Sequence, residues 1–305
     1  MLLTIGIPVY NGEKYIKETI ESILICDFDW EEVEVIVSDN ASTDNTLNYV
    51  REYSKVRIIE HEENVGYDKN LNRVFQYANG KYVWTIGADD LVVNYQLENL
   101  IKMLKDPNDF GVIFVGGKDT CEETYCTFDQ AELFLEGTNF RSGFFPNNVI
   151  AKNIWLSCEA EQFFTSGWIH YAMVLQALRK KKSALTKNQY VIESPRANEI
   201  KTWNKNGSGI TVGLKLVEVF QVMQHWGYDE KFIRKIKGII KNSYPRVIIV
   251  AKLRGFEVSK SILDSFIRLY GEFPLFWILD IWFLLLPSFI YRIAAKVLRF
   301  ANLLK

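Results

Sequence analysis

A chain of 305 residues that is 48% apolar and 24% charged can bury a sizeable core, which excludes a low-complexity or disordered protein and fits one large domain, or one domain with an appendage. The net charge of -1 hides an asymmetry: residues 231–305 carry 14 Lys and Arg against 4 Asp and Glu, while residues 1–230 carry 22 against 33. The acidic part suits a divalent cation and the basic part suits anionic lipid or phosphate; no nucleic-acid partner is expected.

In chain order, Leu2 to Val9 is a continuous apolar run and predicts a strand buried on both faces. Its start has no basic stretch and no small-residue cleavage site, so no signal peptide is expected. Apolar residues at helical spacing follow from Tyr15 to Ile25. Val33 to Ser38 predicts a second strand, Leu47 to Tyr53 a helix, Val56 to Glu60 a third strand and Asp68 to Ala78 a helix. Tyr82 to Ile86 is a fourth strand that delivers Asp89 and Asp90 at its carboxyl end. Leu91 to Leu104 reads as helix and Gly111 to Val115 as another strand. Cys26, Cys121, Cys126 and Cys158 show no CxxC spacing, so neither zinc nor a disulfide framework is indicated, and reduced thiols are expected.

Strands alternating with helices predict an α/β fold with a mostly parallel sheet and right-handed crossovers. Ligands in such sheets sit at the carboxyl ends of the strands, where the polar clusters at Asn11, Asp39, Asn64 and Asp89-Asp90 should meet. The rim has no GxGxxG after the first strand, and the chain has no GxxxxGK[ST]. That argues against a dehydrogenase and a P-loop NTPase.

Four stretches carry a resemblance: Pro8-Val9-Tyr10-Asn11, Ser38-Asp39-Asn40-Ala41-Ser42-Thr43-Asp44, Asn64-Val65-Gly66 with Asn70, and Gly87-Ala88-Asp89-Asp90. In that order and at those intervals they resemble the family 2 glycosyltransferases of the GT-A fold, a Rossmann-like sheet flanked by helices. The likeness is strong over about residues 1–115 and looser to about 225, where the chain is similar to the abequosyltransferase-like members. The resemblance implies a nucleotide-sugar donor held by Pro8, Tyr10, Asn11, Glu13, Asp39, Asn64, Gly66, Asn70, Ala88 and Asp89. Tyr10 would flank the base, Asp39 would hydrogen-bond it and Glu13 would reach the ribose. It also implies Mg2+ or Mn2+ on Asp89, helped by Asp90, although Gly87 stands where the family's motif has its first Asp. Asp44 reads as a helix cap.

On the acceptor side, Trp168 and His170 precede an apolar helical run from Tyr171 to Leu178. Many relatives place a Glu-Asp pair there, the Asp serving as base; this chain has the aromatic-x-His pattern of the abequosyltransferase-like members instead. His170 is the candidate base, a residue type suited to that task, with Glu159 and Glu161 as competitors. Arg196 to Ser208 reads as a polar loop near the site.

From Thr211 onward the chain reads as helical. Phe273 to Tyr291 approaches the length of a membrane span, but Asp280 and Pro287 argue against a straight one. The basic amphipathic stretch that follows, with Arg292, Lys296 and Arg299, suits a helix pair lying in a membrane interface; an oligomer interface is the alternative. The expectation is therefore a catalytic domain over residues 1–210 and a membrane-associating helical appendage over 211–305. The enzyme would sit on the cytoplasmic face of the cell membrane and transfer sugar, with inversion, to a polyprenyl-diphosphate-linked glycan. Transfer to teichoic acid or a protein-bound glycan with an oligomerising C-terminal region, and an inactive nucleotide-sugar-binding homologue, are the rival readings.

Overall fold

The computed structural model describes residues 1–93, 96–117, 121, 123–192 and 208–300. The chain divides into two units, Met1–Ala197 and Asn198–Lys305.

In the first unit the unbroken apolar runs become the central strands. β1 (Leu3–Val9) lies between β2 (Val33–Asp39) and β4 (Tyr82–Thr85), both parallel to it, and β3 (Val56–Glu60) pairs parallel with β2. Leu3, Ile5 and Ile7 on one face of β1 and Thr4 on the other are fully buried, as are Val33, Val35 and Val37 on one face of β2 and Ile36 and Ser38 on the other, so both strands are covered on both faces. The crossovers are α1 (Ile16–Leu24), α2 (Thr46–Val50) and α3 (Tyr67–Tyr77). α3 comes so close to β1 that a Cβ on Gly6 would stand 2.1 Å from Val74 Cγ1.

Register places the loops. Val9 pairs with Asp39, so the loops after β1 and β2 start side by side. Thr85 pairs with Gly6, so β4 ends three residues short of β1 and its loop begins lower on the same edge.

The second half completes one eight-stranded sheet in the order β3-β2-β1-β4-β8-β6-β9-β7. β8 (Asn148–Ala151) enters antiparallel between β4 and β6 (Val112–Phe114), β9 (Ser183–Thr186) runs parallel to β6, and β7 (Tyr125–Phe128) closes the edge antiparallel to β9. Between them come α4 (Gln96–Leu104), α5 (Ala131–Gly137), α6 (Lys152–Leu156) and α7 (Ile169–Leu178). Every residue of α7 is buried, which explains its lack of a polar face. The GT-A class expected from sequence is the architecture found.

Two expectations are corrected. The stretch read as one helix from Leu91 begins as a two-residue strand, β5 (Leu91–Val92), antiparallel to β10 (Val191–Ile192). Partners 100 residues away in sequence, with Ser22 Oγ accepting from the Val92 amide, outweigh the local helical spacing. Cys121 and Cys126 form a disulfide, their Cα atoms 5.6 Å apart across the turn into β7; Cys26 and Cys158 are free.

The second unit is helical, as read. Helices Ser208–Gln221, Glu230–Leu253 and Lys260–Tyr270 share a core that includes Val217, Tyr244, Ile248, Leu269 and Tyr270. Asp229 Oδ1 caps the second helix by accepting from Lys231 and Phe232 amides, and Ser259 Oγ caps the third through Ile262. A π-turn, Phe276–Asp280, runs into helix Ile281–Leu285, and Ser288–Phe300 leaves at 92° after Pro287. Among the described residues no single helix is long and apolar enough to cross a membrane. Asp280 is turned inward and pairs with Lys241 at 2.6 Å, their side chains 14% and 8% exposed.

A charge that well enclosed is costly to leave alone. Asp280→Ala should destabilise the helical unit by about 3–5 kcal/mol in urea unfolding, while Lys241→Met with Asp280→Leu should recover most of it. Equal stability of Asp280→Ala and wild type would show the pair to be solvated.

Candidate active site

The loops after β1 and β2 are laced together by side chains that accept from backbone amides. Ser42 Oγ accepts from Asn11 N at 2.9 Å, Asn11 Oδ1 from Thr43 N at 2.8 Å, and Thr46 Oγ1 from Gly12 N at 2.8 Å. Asp44 Oδ2 accepts from Glu13 N and Glu13 Oε2 from Asn45 N. Asp44 also accepts from the Thr46 amide two residues on; the cap position of α2 itself, expected to be Asp44, is Asn45, whose side chain makes no capping bond. Glu13 is thus tied to the β2 loop, and Tyr10 is left about half exposed above it.

Beneath the lacing, Asp39 is completely buried. Its Oδ2 accepts from Ser42 N at 2.9 Å, whereas Oδ1 has no hydrogen-bond partner. A buried carboxylate oxygen left bare is expensive, and it marks a place where a donor group is missing. Asn70 holds the strand ends from below: its amide donates to Ser38 O and its Oδ1 accepts from Ser38 Oγ at 2.6 Å. Asn64 Oδ1 accepts from Asn40 Nδ2 and Gly66 N, fastening the β3 loop alongside. Pro8, Tyr10, Asn11, Glu13, Asp39, Asn64, Gly66 and Asn70 therefore lie on one connected rim.

The β4 loop joins this rim. Ala88 O accepts from Thr19 Oγ1, and a Cβ on Gly12 would stand 3.5 Å from Ala88 Cβ. Asp90, buried, turns Oδ2 back to accept from Gly87 N at 2.8 Å; Asp89 is partly exposed. A Cβ on Gly87 would stand 2.6 Å from Asp90 Oδ2 and 2.9 Å from Asp89 Oδ1. This explains the missing first carboxylate of the motif: the two remaining ones occupy its space. Among the described residues no three His, Cys, Asp or Glu side chains gather to hold a cation alone. Asp89 and Asp90 are the carboxylates on this loop that could hold Mg2+ or Mn2+, which take hard oxygen ligands.

The acceptor-side residues are positioned by α3. Asp68 Oδ2 accepts from Gly167 N at 2.8 Å and Oδ1 from Ile169 N, so an acid in the first turn of α3 ties down the first turn of α7. His170 is 8% exposed, and its ring lies 5.5 Å from the Trp168 ring, tilted by 34°. Its Nε2 lies 2.9 Å from Gly143 O, which can only accept, so Nε2 carries the proton. Nδ1 then accepts from the Tyr67 hydroxyl at 3.1 Å. Burial, with Asp68 alongside, holds the Tyr67 phenol well above its ordinary value and keeps it a donor. Burial pushes the His170 imidazole down to about 4, against the upward pull of its bond to Gly143. Glu161 is not part of this group. With Glu159 it lines an open groove of about 660 Å³ beside Asn72, Gln76 and Trp155, which neither Trp168 nor His170 lines. The 196–208 loop expected near the site lies outside the described residues, apart from Ser208.

Tyr67 and Asp68 are absent from the sequence reading of the site. Gly66 announces a helix start there, but nothing in local spacing says that these side chains reach residues about 100 positions away.

Residues 4–162, more than half of the chain, match the family model described as Glycosyl transferase family 2. The chain belongs to that family. Within it, a Haemophilus influenzae protein described as an uncharacterized glycosyltransferase is 28% identical over 209 residues, covering 67% of this chain and 59% of that protein. The poly(ribitol-phosphate) beta-N-acetylglucosaminyltransferase TarS of Staphylococcus aureus is 35% identical over 183 residues, covering 54% of this chain and 32% of its own. The chain thus spans about three-fifths or less of these curated relatives. Among solved structures, S. aureus TarS 1-349 in complex with UDP superposes with a TM-score of 0.61 at 18% identity, over 89% of this chain and 82% of that one. The mannosyltransferase PcManGT of Pyrobaculum calidifontis, in complex with GDP-Man and Mn2+, gives 0.58 at 17% identity, over 98% and 87%. At these identities the family likeness in structure concerns the GT-A fold.

The His170 environment gives a pH signature. Its folded pKa of about 4 lies below the ordinary 6.5, so the unfolded chain takes the proton first as pH falls. The contribution to stability, on the order of 3 kcal/mol, is present above pH 6.5 and is lost between 6.5 and 4. His170→Gln should flatten the fall in thermal midpoint across that window. An identical pH slope in wild type and His170→Gln would show the imidazole to be solvated.

Proposed function

We propose that this chain is an inverting, metal-assisted glycosyltransferase that moves a sugar from a nucleotide-sugar donor to a hydroxyl of a surface glycan. The observation that carries the reading is Asp39 Oδ1, a buried and unpaired acceptor at the carboxyl end of β2. A nucleobase N–H would satisfy it, with Tyr10 as the exposed aromatic beside the base. Family membership, and the nucleotide sugars named for TarS and PcManGT structures, support the donor class.

In this reading residues 1–210 are the catalytic domain and 211–305 an appendage on the inner face of the cell membrane. Asp89, helped by Asp90, would hold Mg2+ or Mn2+ against the donor diphosphate and neutralise the leaving group. The acceptor oxygen bonds to the anomeric carbon as the carbon–phosphate-oxygen bond breaks on the opposite face, so no covalent enzyme intermediate forms. His170 is the proposed base: the acceptor hydroxyl replaces the Tyr67 hydroxyl at Nδ1 and gives up its proton there. With Nε2 donating to Gly143 O, Nδ1 keeps the electron pair that can take that proton. The abequosyltransferase-like pattern at Trp168 and His170 supports a polyprenyl-diphosphate-linked acceptor. The sequence likeness to TarS favours a second reading, transfer to a polyol-phosphate polymer.

Donor hydrolysis and transfer, measured with and without EDTA over a panel of nucleotide sugars, test the proposal. Asp89→Ala should lose about 10²–10³-fold in turnover and its response to EDTA. Asp39→Ala should weaken donor binding by about 1–3 kcal/mol. His170→Ala should lose about 10²–10⁴-fold in transfer, while Tyr67→Phe keeps it. A fully active Asp89→Ala enzyme would remove the cation, and a fully active His170→Ala enzyme would remove the base.

A further inference from the structure

The end of the helical unit reverses the usual distribution of polarity. Phe276, Ile281 and Leu284 face its core, and the opposite face, which water should make polar, carries exposed Trp277, Ile278, Trp282 and Leu285. After the bend Phe289 and Ile293 continue the exposed apolar set. From Leu275 to Tyr291 Asp280 is the one formally charged residue, and it is turned inward to Lys241. Exposed apolar surface this continuous marks a docking face.

The bend itself is built from within. Lys252, 1% exposed, donates from Nζ to Leu284 O at 2.8 Å and to Leu286 O, so it satisfies the carbonyls at the end of helix Ile281–Leu285. On the other side of Pro287, Ser288 Oγ donates to Phe256 O at 2.6 Å and Ser288 N to Glu257 Oε1. Both arms of the elbow are thus tied to one short segment, 252–257. Burial lowers the Lys252 ammonium, partly offset by Glu257, as expected of a cation held inside for its hydrogen bonds.

We propose that this elbow is a preformed dock for an anionic lipid surface, its right angle fixed by Lys252 and Ser288 so that both short helices lay their apolar faces into the interface together. This rests on the reading of the helical unit as the membrane-attaching part. Lipid is favoured over a second copy by charge: exposed Arg292 and Lys296 lie beside the apolar set, where anionic headgroups neutralise them. A two-fold contact between copies would bring those cations toward their own counterparts.

The test is flotation of the full chain with vesicles of phosphatidylglycerol and phosphatidylcholine, or of phosphatidylcholine alone. Wild type should float with the anionic vesicles, and several-fold less at 0.5 M than at 0.1 M salt. Trp282→Ser with Phe289→Ser, both exposed, should lower binding by about tenfold or more. Lys252→Met should lower it at unchanged helicity, with faster amide exchange in 284–290; if that variant does not fold, Ser288→Ala should show the same in weaker form. Donor hydrolysis, followed in the same proteins, should not change in the Trp282/Phe289 variant. Wild type that turns over donor but never floats overturns the dock and leaves the enzymatic reading standing; floating protein without turnover does the reverse. Binding unaffected by Lys252→Met and Ser288→Ala overturns the preformed elbow. A dimer that the Trp282/Phe289 variant breaks, without vesicle binding, assigns the face to a second copy.

Discussion

The site depends on side chains of the β2 loop accepting hydrogen bonds from amides of the β1 loop. Ser42, Thr46 and Asp44 take the amides of Asn11, Gly12 and Glu13 in succession, and Asn11 and Glu13 return the exchange. Loops at the end of a parallel sheet have lost their ladder partners, and this lacing replaces them. It also uses the groups that would otherwise have solvated Asp39. With Ser42 N on one oxygen, the buried carboxylate keeps the other without a hydrogen-bond partner.

Much of this is legible in sequence because it is local. A strand buried on both faces is rich in apolar residues, and Leu2–Val9 reads as such a run, with Val33–Ser38 as the second strand; polar residues at their ends then have one rim on which to meet. The same logic fails where partners are distant. Leu91–Val92 has helical neighbours and becomes a strand through Val191–Ile192. Cys121 and Cys126 show no motif spacing, because their pairing is set by the turn into β7. The proposed base was legible as a residue, but its condition was not: only the fold reveals that Tyr67 and Gly143 occupy both nitrogens.

Gly87 shows how a departure from a motif can be read physically. From sequence it is a lost ligand. In the structure the Asp89 and Asp90 carboxylates occupy the space a side chain at position 87 would enter, and Asp90 accepts the Gly87 amide, so any residue there would have to displace them.

Gly6 has a wider reach than its place in the middle of a strand suggests. With Val74 Cγ1 where its Cβ would be, it sets the height at which α3 rides over the sheet. The same helix carries Asn70, which steadies the ends of β1 and β2, and Tyr67 and Asp68, which hold His170 and the start of α7. A single methyl at position 6 would act as a wedge under a rigid beam and move both groups together. The spacing between the Asp39 rim and the His170 pocket is thus gauged by the absence of one carbon atom well below either of them.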